Sequence, residues 1–132
     1  MVKTVIRFKV WIEKDSKPLI GRGGYMILKA INQYGSISKA SEVLGMSYKF
    51  IWSYIKRLEE NLGESVVETR RGGRGKGGTR LTPAGRDLLE TYEMVESVVK
   101  EALLEIGDPI IVSNEPAVKV NEVVKSLLVG CI

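Results

Sequence analysis

Residues 35–63 read GSISKASEVLGMSYKFIWSYIKRLEENLG, two helical patterns with a three-residue break between them. In the first pattern Ala40, Val43 and Leu44 form an apolar stripe, Ser36 or Ser38 can cap its start, and Gly45 stops it after about two turns. In the second, Ser47 can cap a longer helix whose inner face is Ile51, Ile55, Leu58 and Leu62, closed by Gly63. Only Gly45-Met46-Ser47 separates them. A short helix, a tight turn and a longer helix make the spacing of a helix-turn-helix, in which the second helix enters a DNA major groove.

Working outward, the upstream chain changes period. Over residues 4–13, Thr4, Ile6, Phe8, Val10 and Ile12 alternate with Val5, Arg7, Lys9, Trp11 and Glu13, which predicts a half-buried strand. Lys14 to Lys17 make a turn, and Pro18-Leu19-Ile20 can return as a second strand. Gly21, Gly23 and Gly24 then break the chain before a helix from Tyr25, with Met26, Ile27, Ala30, Ile31 and Tyr34 at helical spacing and Gly35 as its stop.

Downstream, Val66 to Glu68 and Thr79 to Leu81 are short strand candidates around the loop RRGGRGKGG at 70–78. The loop is not a Walker A element: Gly77 follows Lys76, so the magnesium-binding hydroxyl is missing, and the next helix starts too late to lend its N-terminus. A dinucleotide-binding fingerprint fails because no βαβ unit surrounds it. A linker would explain the glycines but not the flanking strands. A hairpin directly after a recognition helix is a wing. Glycines let its backbone approach a duplex, and Arg70, Arg71, Arg74, Lys76 and Arg80 supply cations for phosphates or a minor groove.

Thr82-Pro83 opens a last long helix, with Thr as cap and Pro at the first position, running to about Ile106. Leu88, Tyr92, Val95, Val99, Ala102 and Ile106 form an a/d seam along it. At 1.5 Å per residue such a helix is about 36 Å long. Pairing two copies through this seam would set two recognition helices roughly 34 Å apart on successive major grooves. Alternatively the C-terminal residues fold back over the seam. After Gly107-Asp108-Pro109 come an apolar run, Ile110-Ile111-Val112, and a short helix expected near Val120–Val129.

The run from Gly35 to Leu89 resembles the N-terminal DNA-binding domain of the ModE family of molybdate-responsive regulators, and more distantly the LysR-type winged helices. The matching motifs are GSIS at the second helix, MSYK with Trp52 at the recognition helix, RLEENLG at 57–63, the glycine-rich basic wing, and LTPAG at 81–85. The strand-turn-strand before Gly21 is similar to that family's start. The resemblance covers about residues 5–92. It implies a fold that is mainly α with a small β component: a winged helix-turn-helix with an N-terminal β-hairpin and a long C-terminal dimerisation helix. Family members carry oxyanion-binding domains after that helix. Here 26 residues follow Ile106, so the chain is expected to be a stand-alone form lacking the molybdate-binding domains. Residues 1–82 are then the DNA-binding domain, 83–106 the dimerisation helix and 107–132 a short appendage.

On the recognition helix the face opposite the core offers Ser47, Tyr48, Lys49, Ser53 and Lys56. Lys49 can donate to guanine O6 or N7; Tyr48 can pack on a thymine methyl or bond a phosphate; Ser47 can cap the helix and touch the backbone. Trp52 either packs on the first helix or meets DNA. Lys39 is a phosphate contact or a solvated lysine, and Arg57 an ion-pair partner of Glu59 or Glu60.

Composition bounds the function. The 132-residue chain, 44% apolar, can build a core, and its net charge of +4 is unevenly spread. Residues 1–20 carry +3, residues 21–86 carry +7 and residues 87–132 carry −6, which points either to a polyanion partner for the middle segment or to two unrelated solvated faces. There is no histidine, and the single cysteine is Cys131. Neither a Cys-His nucleophile nor a metal-ligand cluster can be assembled, so no enzyme, metal or cofactor is expected. No apolar run approaches a membrane span of ~20 residues, and a soluble, cytoplasmic protein is expected. The function predicted is a homodimeric, sequence-specific double-stranded DNA-binding transcription regulator. The alternatives are a winged-helix module that binds another protein, or a regulator that takes molybdate or tungstate at the dimer interface.

Overall fold

In the computed structural model, which describes residues 4–70, 78–106 and 110–113, the chain orders as β1 (Thr4–Arg7), β2 (Ile12–Lys14), β3 (Lys17–Ile20), α1 (Arg22–Tyr34), α2 (Ile37–Leu44), α3 (Tyr48–Leu62), β4 (Val67–Arg70), β5 (Gly78–Leu81), α4 (Pro83–Leu104) and β6 (Ile110–Ser113). Among the described residues four helices gather around one core, with Ile27, Leu28 and Ile31 of α1, Ala40 and Leu44 of α2, Ile51, Ile55 and Leu58 of α3, and Leu88, Leu89 and Tyr92 of α4 all buried. Among the described residues the strands pair two by two: β2 with β3 and β4 with β5, both antiparallel, and β1 with β6, parallel.

The local signals act as expected at the helix ends. Ser36 accepts from the Lys39 amide and Ser47 from the Phe50 amide, each at 3.0 Å, and Thr82 accepts from the Gly85 amide at 3.1 Å. Each cap satisfies a backbone donor that the first helical turn leaves open. Gly45 adopts φ 66°, the left-handed region that a side chain disfavours, and this lets the chain reverse between α2 and α3 within three residues.

Three expectations are corrected. First, α1 starts at Arg22 and not at Tyr25, so Gly23 and Gly24 lie within it. At Gly24 a Cβ would collide with the ring and hydroxyl of Tyr54 on α3 and come within 2.9 Å of Ile20 Cγ2. This glycine is there for close packing of α1 on α3, not as a break. Second, residues 4–13 are not one strand. The burial alternation persists, with Ile6, Phe8, Val10 and Ile12 half-buried between exposed Arg7, Lys9, Trp11 and Glu13. The ladder, however, lapses between Arg7 and Ile12, and β1 pairs with β6 in the register Thr4↔Ile110 to Arg7↔Ser113. The apolar run after α4 thus forms a strand that returns to the N-terminus. Third, α4 ends at Leu104, two residues early. The short helix expected near Val120–Val129 lies outside the described residues.

Candidate nucleic-acid interface

Helix α3 turns Ile51, Ile55 and Leu58 fully inward. Since these occupy one side, Ser47, Tyr48, Lys49, Ser53 and Lys56 fall on the other, and all five are exposed, Tyr48 at 52%. Trp52 is half-buried against the core and meets the Tyr48 ring edge-on at 6.3 Å, so it supports Tyr48 from below. Tyr54, one step round the helix, packs inward, and its hydroxyl donates to the Leu19 carbonyl at 3.3 Å. Burial raises the Tyr54 phenol above its ordinary pKa, and the Arg57 charge partly opposes this.

Two of the cations have neighbours within the chain. Lys39 Nζ lies 3.6 Å from Glu42 one turn along α2, an exposed pair. Arg57 sits over the Tyr54 ring at 5.6 Å. Glu59, expected as a possible partner of Arg57, instead accepts from the Val66 amide at 2.7 Å and the Val67 amide at 3.5 Å. That carboxylate fixes where the chain leaves α3 and enters β4.

The hairpin is anchored at its base by further polar contacts. The Thr82 hydroxyl donates to the Ser65 carbonyl at 2.7 Å and the Thr82 amide to the Val66 carbonyl at 3.0 Å. The Thr79 amide donates to the Gly35 carbonyl at 2.9 Å, which ties β5 to the α1–α2 turn. Strands β4 and β5 pair from Val67↔Leu81 to Arg70↔Gly78. Arg70 and Arg80 are exposed. Arg80 pairs with its cross-strand neighbour Glu68 at 3.0 Å, a contact set by register and so not visible in the one-dimensional pattern. Arg71, Arg74 and Lys76 lie outside the described residues.

The expected a/d seam divides. Leu88 and Tyr92 are buried in the chain's own core, so they are not free for a partner. Tyr92 stacks on Tyr25 of α1 at 4.9 Å and donates to the Val10 carbonyl at 3.1 Å. Burial, aided by the Glu96 charge, pushes its phenol far above the ordinary range. Val95, Ala102 and Ile106 are exposed and Val99 is half-buried. Met94 and Val98, absent from the expected seam, are exposed at 62% and 60%. The outward apolar face of α4 is therefore rotated from the predicted one, because the first turns of the helix face the core.

The profile of the bacterial regulatory helix-turn-helix proteins of the lysR family matches residues 25–86, from α1 through the start of α4. Residues 25–86 are thus similar to the helix-turn-helix domain of that family. The chain is 39% identical over 72 residues to the molybdenum transport protein ModE of Herbaspirillum seropedicae, covering 54% of this chain and 27% of that protein. It is 33% identical over 82 residues to the DNA-binding transcriptional dual regulator ModE of Escherichia coli K12, covering 62% of this chain and 31% of that protein. The matched part thus spans less than a third of the length of these two relatives. Among solved structures, the chain is similar in fold to the protein in a BenM_DBD/benA site 1 DNA complex, with TM-score 0.50 and 23% identity, over 64% of this chain and 92% of that chain. A CbnR_DBD–DNA complex gives TM-score 0.50 and 24% identity, over 64% and 91%. These likenesses show the fold alone, a winged helix-turn-helix over the matched part of the chain.

Proposed function

We propose that this chain is a transcriptional regulator that binds double-stranded DNA in a sequence-specific way and acts as a homodimer. The observation that carries the reading is the outer face of α3, where Tyr48, Lys49, Ser53 and Lys56 stand exposed beyond a three-residue turn. Lys49 in the first turn reaches base edges, Ser47 and Lys56 meet the backbone, and the wing around Arg70 and Arg80 lies on phosphates or in the minor groove. Support comes from the similarity to ModE regulators, from the DNA-bound state of the two fold neighbours, and from the +7 charge of residues 21–86.

The test is duplex binding by fluorescence anisotropy across a salt series, with a site selected from a random duplex pool and a scrambled control. Affinity should fall steeply with salt as counterions are released, and the selected site should win at every salt concentration. Replacing Arg70, Arg71, Arg74 and Lys76 together by Ala should weaken binding to both duplexes and flatten the log–log slope by up to about 3.6, at ~0.9 per lost phosphate contact. An unchanged slope would remove the wing from the mechanism. Salt-insensitive or sequence-blind binding would instead favour a winged helix that docks on an acidic protein.

A further inference from the structure

Phe50 lies in the first turn of α3 and is 51% exposed. At about 100° per residue, Lys49 and Ser53 occupy the middle of the outward face. Tyr48 and Trp52 flank them on one side, Phe50 and Arg57 on the other. The two flanks differ. Tyr48 is held by Trp52, whereas Phe50 has no ring contact among the described residues. Its backbone is fixed all the same, because its amide donates to the Ser47 cap.

A large apolar ring held in water beside Lys49, Ser53 and Arg57 gains nothing in the free chain. It fits a partner that is anionic at its walls and apolar at one point of its floor. The major groove of a duplex has that character: phosphates border it, and the thymine C5 methyl is the apolar feature a base edge presents there. We propose that Phe50 is a specificity-determining residue that recognises a thymine by packing on its C5 methyl group. The inference rests on the reading of α3 as the recognition helix and adds to it the base that one flank selects.

The test uses the full chain and the duplex it selects from a random pool. Each dT in that duplex is replaced in turn by dU, which removes the methyl and leaves the hydrogen-bonding edge intact. At one position the wild type should lose about three- to fivefold in affinity, the worth of one buried methyl group. Phe50→Ala should bind dT and dU at that position equally, while Phe50→Leu should keep part of the preference. Phe50 is exposed, so both variants should fold, which circular dichroism checks. A selected site without thymine, a duplex indifferent to every dT-to-dU change, or a penalty that persists in Phe50→Ala would each overturn the proposal while leaving the recognition-helix reading standing. A wild type that selects no sequence at all would remove that reading and this one with it.

Discussion

Lys49 stands exposed in the first turn of α3 and makes no ion pair among the described residues. Lys39, by contrast, shares its charge with Glu42. The difference predicts different phenotypes from the same substitution. Lys49→Ala should relax base preference at one position of the selected site by about 1–3 kcal/mol if the lysine bonds a guanine edge. Lys39→Ala should lower affinity for all duplexes alike, and only slightly, because exposed charges are well screened. Binding to a panel of single-base variants of the site separates the two. A uniform loss in Lys49→Ala would make that lysine a phosphate contact. The exposure of Tyr48 and Lys49 was legible in the sequence because it follows from the stripe Ile51, Ile55 and Leu58 on the opposite side. Phe50 was not legible, since an aromatic residue beside that stripe reads as a further core residue until its exposure is seen.

Between elements, α1 and α4 are joined by a buried ion pair. Arg22 Nη1 donates to Glu96 Oε1, with the two side chains 10% and 8% exposed. Arg22 Nε and Glu96 Oε2 are buried without a hydrogen-bond partner among the described residues, so the pair is incompletely satisfied. Removing one member should leave an uncompensated charge inside the protein, and Glu96→Ala should cost about 3–5 kcal/mol in urea unfolding. Replacing both, as Arg22→Met with Glu96→Leu, should cost far less or nothing. If the double variant is as unstable as the single, the pair contributes more than its own desolvation. Contacts of this kind mark the limit of a one-dimensional reading. Caps and helix stops are written within a few residues of where they act, so Ser36, Ser47 and Thr82 were assigned from sequence, the first with Ser38 as an alternative. Arg22 and Glu96, or β1 and β6, meet across most of the chain, and no local period encodes the pairing. Gly24 was misread for the same reason: its neighbour is Tyr54, thirty residues on.

At the scale of the whole molecule the question is what covers α4. Its 22 residues extend about 33 Å at 1.5 Å each. Leu88, Leu89 and Tyr92 hold its first half in the core. Beyond them Met94, Val95, Val98 and Ala102 share one exposed side. Lying at i, i+1, i+4 and i+8, they make an apolar stripe of the kind that buries itself against a partner helix. A second copy is the partner the proposed function requires, since two recognition helices reading a two-fold site need a two-fold interface. Met94→Glu with Val98→Glu leaves every core residue in place and puts like charges across such an interface. The variant should sediment as a monomer where the wild type sediments as a dimer. Linking two half-site contacts is worth about a hundredfold to ten-thousandfold in avidity, so affinity for a palindromic site should fall by that order while affinity for an isolated half-site stays the same. A wild type that sediments as a monomer, or a variant that stays dimeric, would move the interface off this face. The charge of the region agrees with such a division of labour. Residues 87–132 carry −6 against +7 for residues 21–86, so phosphates repel the former as they attract the latter. The long helix would therefore be held off the duplex, free to meet its copy.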